Sequence, residues 1–169
     1  DKTALTIDMY HQYAPFLSEL KRKLASGESL FYAWNTGLGT NFYALIAYYA
    51  ASPLNLLLLL FPLKHLTEGI YLLTLLKTGL MGLTMAIFLN KGLSPQGLLT
   101  FHKSKAPDYR RPISAPGPRY AKRDVATDLV VLAFSSAYAL SAYTFSYAWC
   151  VMWLDGLILF PLAMLGLLY

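Results

Sequence analysis

The chain has 169 residues, 56% of them hydrophobic and only 14% charged, with a formal net charge of +5. Its mean hydropathy of +0.44 lies outside the balance of a soluble globular domain and reads as an integral membrane protein. The single cysteine, Cys150, excludes an internal disulfide; set in an apolar stretch, it reads as a small packing residue.

Asp1 opens the chain and Tyr169 closes it inside an apolar run that has not finished, so the expectation is a fragment cut at both ends. The first patterned element follows Asp8. Tyr10, Tyr13, Phe16, Leu17, Leu20 and Leu24 keep helical spacing, and Glu19, Lys21, Arg22 and Lys23 fall on or near the other side. Pro15 is tolerated only in a first turn, which predicts a regular helix from about Ala14 to a stop at Gly27. Such a helix lies in the headgroup plane rather than crossing it. Next, "WNTGLGTN" signals a loop. Its G-x-G has neither a third glycine nor a preceding predicted strand, which argues against a dinucleotide fingerprint.

A bilayer core takes about 20 apolar residues to cross as a helix. Segments 70–89 and 129–149 meet that length, and 156–169 reads as a truncated span. Segment 42–63 is long enough, but Ser52-Pro53 sits in its middle. Proline removes a donor and disfavours helix in the residue before it. Either one kinked span or two shorter re-entrant helices would result, and the prolines favour the broken form.

Segment 91–127 holds eight Lys and Arg against Asp108 and Asp124, a net +6, while the remainder carries −1. Basic loops stay on the cytoplasmic side. That rule puts 91–127 inside, and with a broken 42–63 it puts Asp8 and Asp155 together on the outer face, with 1–63 as an outer segment of juxtamembrane or re-entrant helices. The same basic segment contains five prolines and too little apolar surface for a core. Beside two spans it reads as lying on anionic lipid, not nucleic acid.

Several motifs in order then resemble one family. Asp8 with Gln12-Tyr13 and Pro15, "GLGTN" at 37–41, "AYYAASPLNLLLLLFP" at 47–62, "LLKTGL" at 75–80, "SSAYALSAY" at 135–143 and "MWLDGLILFPLAMLG" at 152–166 resemble the YfhO-like bacterial membrane proteins. Residues 91–127 fall outside the resemblance. It implies an early portion of a longer protein, beginning after a first transmembrane helix. It also implies an all-α, polytopic fold of the GT-C glycosyltransferase class, with outer juxtamembrane helices and a bacterial cell-membrane location. Members of that class take sugar from a polyprenyl-phosphate donor, and YfhO-like proteins are associated with envelope-polymer acceptors such as teichoic acid. By position, Asp8 matches the class's first-loop carboxylate, and Asp155 lies in a family motif.

An inverting transfer from a lipid phosphate needs one base for the acceptor hydroxyl and a cation for the leaving phosphate. Asp8 and Asp155 are the catalytic candidates; His11, Gln12, Tyr13, Lys21, Arg22 and Lys77 are the substrate-binding ones. The residues alone favour Asp8 as a helix cap, and the resemblance reverses that order. Asp155 stands equally as site and as cap. His11 beside one Asp falls short of a metal-ligand set, so no metal ligands are assigned, although a divalent metal is one of the cations that would suit the phosphate. Lys21, Arg22 and Lys23 suit lipid phosphates. Lys77 interrupts a span, where a charge costs about 2.5–3.5 kcal/mol, so it should face the interior and have a partner, a carbonyl or a carboxylate in missing chain. Ser135, Ser136, Ala137, Ala139, Ser141 and Ala142 read as a helix-packing surface. The alternatives to a glycosyltransferase are a transporter or lipid-handling protein and a non-catalytic envelope scaffold.

Overall fold

The computed structural model describes residues 5–92 and 125–168, so most of the basic segment 91–127 lies outside the described residues. The described chain is helical apart from one short hairpin, an all-α membrane protein.

The chain enters through one π-helical turn, Met9–Tyr13, and continues as α1 (Ala14–Ser26). Pro15 sits in the first turn, where its missing N–H donor costs no α-helical hydrogen bond. Gly27 ends the helix in a left-handed conformation, φ 69°, its N–H donating to the Lys23 carbonyl. The face that α1 buries corrects the amphipathic reading. Leu17 and Leu20 are buried, but so are Glu19 and Lys23, and Tyr10 is exposed. A π-turn advances more than the usual 3.6 residues, so spacing counted from Tyr10 falls out of phase. Glu19 and Lys23 are drawn inward by tertiary partners described below.

The glycine loop turns out to close a hairpin. Strands β1 (Tyr32–Ala33) and β2 (Thr40–Asn41) pair antiparallel, with Tyr32 opposite Asn41 and Ala33 opposite Thr40. Such two-residue strands carry too few side chains to show alternation, which is why the sequence reads as loop alone. Gly37 and Gly39 take φ of 63° and 98°, and a Cβ on Gly39 would run into the Tyr32 hydroxyl. Gly39→Ala is therefore expected to cost the hairpin at least about 1–2 kcal/mol of backbone strain. Faster limited proteolysis between residues 33 and 41 would report it; an unchanged cleavage rate would contradict it.

Segment 42–63 breaks sharply. Helix α2 (Phe42–Leu45), capped by the Asn41 side chain accepting from the Ala44 N–H at 3.3 Å, runs into a π-turn, Ile46–Ala50. A 3-10 helix, Pro53–Leu60, follows at 100° to it. Ser52 is extended at ψ 128°, as a residue before proline prefers. The buried Asn55 holds the corner by donating to the Ala50 carbonyl at 3.1 Å.

A short 3-10 turn, Leu63–His65, leads into α3 (Leu66–Gly92). Then come α4 (Val125–Ala139), α5 (Ala142–Tyr147) and α6 (Trp153–Leu167). Leu63–Gly92 and Val125–Tyr147 are long and apolar enough to cross a bilayer. α3 is the central post. Its Gly82 faces Ala139 and the Ser135 carbonyl, so α4 packs against it through small residues. Lys77 meets Val151 and Asp155, and Gly92 meets Leu168, so α6 runs parallel to α3. The 147–153 turn and the N-terminal segment thereby gather against α3 on the Leu66 side of its middle, away from Gly92.

Candidate functional site

Two clusters meet on that side. The first surrounds Asp8. Ile7, just before it, has φ 50°, a strained value for a β-branched residue, and its side chain is exposed. Strain of this kind, about 1–2 kcal/mol, persists only where surrounding structure enforces it. Here the Met9 N–H donates to the Thr6 carbonyl at 3.0 Å, and the Tyr10 N–H to the Ile7 carbonyl at 3.1 Å. The Asp8 carboxylate does not cap the helix behind it. Its Oδ1 accepts from Gln12 Nε2 at 3.1 Å, four residues on.

Tyr13, almost fully buried, stands edge-on to Tyr49 with ring centres 5.3 Å apart. Its phenol lies close to the Cys150 thiol. Burial, then the neighbouring Cys150, push the Tyr13 phenol well above its ordinary value. Burial likewise raises the Cys150 thiol; the Tyr13 phenol opposes that rise, and the negative charge of Asp8 adds to it. Asp8 also acts electrostatically on Tyr49. The carboxylate thus lies within electrostatic reach of Tyr49 and Cys150.

The second cluster is built on Lys77 and Asp155. Lys77, with no exposed surface, donates from Nζ to Asp155 Oδ2 at 2.7 Å and to the Val151 carbonyl at 3.1 Å. Ser52 Oγ donates to the other carboxylate oxygen of Asp155 at 3.0 Å. The expected partner of Lys77 is therefore in this chain rather than in missing chain. Asp155 is no helix cap either: its carboxylate is turned to Lys77 and Ser52, away from the first amides of α6. One ion pair joins the broken corner, the middle of α3 and the start of α6.

The other candidate cations are committed elsewhere. Lys21 Nζ donates to the Leu58 and Leu59 carbonyls at 3.1 and 3.0 Å, tying α1 to the 3-10 helix. Arg22 donates to both oxygens of Glu19, each at 2.9 Å, and to both oxygens of Glu28. Lys23 reaches the Ser29 carbonyl at 3.0 Å, and Asn35 of the hairpin donates to Glu19 at 2.9 Å. His11 is exposed, with its ring edge-on to Tyr10 at 5.1 Å. So Gln12 and Tyr13 lie with Asp8, and Lys77 with Asp155, whereas Lys21 and Arg22 brace α1. Sequence reasoning passes over Ser52 and Cys150 as site residues. Ser52 is visible there only as the residue before a proline, and Cys150 only as a small apolar side chain.

Among the described residues no three His, Cys, Asp or Glu side chains gather as a metal-binding group.

The Glu19–Arg22–Glu28 network makes acid sensitivity predictable. Arg22's hydrogen bonds pull Glu28 from 4.5 to about 2, and also lower Glu19. Carboxylates depressed in the folded state stabilise it fully above their unfolded values, and that contribution is lost as pH falls through the folded ones. The melting temperature in detergent is therefore expected to drop between about pH 5 and about pH 2, less so at high salt because the Glu28 pair is exposed. Arg22→Gln should shrink that drop; an equal drop in the variant would refute the assignment.

The family profile described as bacterial membrane protein YfhO matches residues 1–104 and 120–168 of this chain. No curated protein and no solved structure matches it.

Proposed function

This chain belongs to the YfhO family of bacterial membrane proteins, and from that membership we propose that it is part of a GT-C-type glycosyltransferase in which Asp8 is the base. The donor is a polyprenyl-phosphate sugar and the acceptor a cell-envelope polymer of the teichoic acid kind. Asp8 takes the proton of an acceptor hydroxyl as its oxygen bonds to the sugar's anomeric carbon. The bond from that carbon to the phosphate oxygen breaks, and the lipid phosphate leaves as an anion.

One observation carries the choice of base. Of the two candidate carboxylates, Asp155 has both oxygens engaged, one by the Lys77 ammonium. Asp8, among the described residues, receives a neutral amide from Gln12. A carboxylate already ion-paired inside a bundle is poorly suited to collect a proton from a substrate, whereas one held by a neutral donor can do so. Asp155 is then the counter-ion of Lys77, and Lys77 a brace rather than a ligand for substrate. With Lys21 and Arg22 bonded within the fold, the exposed His11 is the cation-forming side chain of this segment set to meet the phosphate. In this reading Asp8 and Asp155 face outward and 91–127 lies in the cytoplasm, in accord with the basic charge of that segment.

The test is sugar transfer by the full-length protein carrying Asp8→Asn. Transfer should be lost while the amount of folded protein stays level. Unchanged transfer would remove the catalytic reading and leave a lipid-handling or scaffold role.

A further inference from the structure

The hairpin between α1 and α2 presents apolar side chains where a water-facing loop would present polar ones. Trp34 is 79% exposed and Leu38 is fully exposed, with Phe31 and Tyr43 also outward. Leu38 stands between Gly37 and Gly39, both at positive φ. That backbone thrusts it out from the tip.

Nothing about the base of the hairpin is loose. Ala33 and Phe42 are buried, Asn35 donates to Glu19, and Lys23 donates to the Ser29 carbonyl. Tyr32 and Trp34 rings meet edge to face at 4.7 Å, and Phe31 lies over Tyr43 at 5.6 Å. The tip is thus a preformed projection fixed to α1, not a coil that folds back on itself.

Its chemistry names the occupant. From Ser29 to Leu63 the chain has no Asp, Glu, Lys, Arg or His. The hairpin runs directly into Phe42–Ala50 and Pro53–Leu60, which together are apolar enough for membrane depth. A polymer of phosphates or a charged protein would find no opposite charge here. Trp and Tyr suit the boundary between headgroups and acyl chains, where an apolar ring and a polar tip are both satisfied. Asn35, Thr36, Thr40 and Asn41 keep the hairpin from sinking deeper, since polar groups in hydrocarbon go unsatisfied.

We propose that the 31–43 hairpin is an interfacial membrane anchor, with Trp34 and Leu38 inserted at the headgroup–acyl boundary. Through Asn35 and Glu19 it holds α1, and with it the Asp8 segment, at a set depth on the bilayer surface. This anchor stands whether or not Asp8 is a base.

The test uses the full-length protein in a Cys150→Ser background, which keeps a hydroxyl for Tyr13. Leu38→Cys, and separately Trp34→Cys, are labelled with an environment-sensitive fluorophore and reconstituted into phosphatidylcholine–phosphatidylglycerol vesicles. Leu38 is fully exposed, so its replacement removes no core contact. Lipids brominated near the top of the acyl chain should quench both labels at least twofold, with aqueous iodide having little effect. Quenching by iodide and not by bromolipid would place the tip in water and overturn the proposal. Protection from both would mean that protein covers the tip, which would overturn it equally.

Discussion

Asp155→Ala is expected to be the most damaging single change to the fold, at about 3–5 kcal/mol. It would strand the Lys77 ammonium at 0% exposure, leaving the Val151 carbonyl as its hydrogen-bond partner among the described residues. A domain's whole stability is about 5–15 kcal/mol, so the yield of folded protein in detergent should fall steeply. Lys77→Met should be milder, because Asp155 is 28% exposed and keeps Ser52. Combining Lys77→Met with Asp155→Ala removes both charges together, and a coupling of about 0.5–3 kcal/mol should rescue much of the loss. Thermal unfolding of the two single variants and the double measures that coupling. If the double were as unstable as the sum of the singles, the ion pair would not be what holds the corner.

Asp8→Asn should act in the opposite sense, on chemistry and not on folding. The amide oxygen of Asn can still accept from Gln12, so the turn keeps its shape, but the group that would take the proton is gone. A positioned general base contributes about 10²–10⁴-fold. Transfer by the full-length protein should drop by that order while its melting temperature stays level. Gln12→Ala should cost far less, since it removes an orienting bond and leaves the carboxylate. The pair of experiments separates the roles: Asp155 variants lose protein, and Asp8 variants lose turnover. Asp155→Asn with full stability and no transfer would exchange the assignments.

Where the chain obeys local rules, its structure is legible in the sequence. Pro15 and Gly27 mark the ends of α1 because proline and left-handed glycine act through their own backbone. Ser52-Pro53 announces a break for the same reason, and Lys77 announces an inward-facing charge because hydrocarbon does not solvate ammonium. The long apolar runs declare membrane helices, and of the small residues at 135–142 Ser135 and Ala139 pack on α3 while Ser136, Ala137 and Ala142 stay exposed. Apart from that packing, each of these needs only neighbours in sequence.

Long-range partners are not legible. Lys77 and Asp155 are 78 residues apart, and Ser52 and Asp155 are 103 apart. No spacing rule connects them, so whether Asp155 is a site, a cap or a counter-ion depends on α6 lying parallel to α3. Glu19 and Lys23 look like a solvated face in a helical projection; they are buried because Arg22, Asn35 and the Ser29 carbonyl close over them. The hairpin's outward Trp34 and Leu38 are set by two glycine dihedrals and by a base packed on α1. Membrane character, breaks and the demand for a counter-charge are properties of short stretches of chain. Which carboxylate answers that demand, and which is left with a neutral amide as its partner, is a matter of packing between segments that covalent order does not encode.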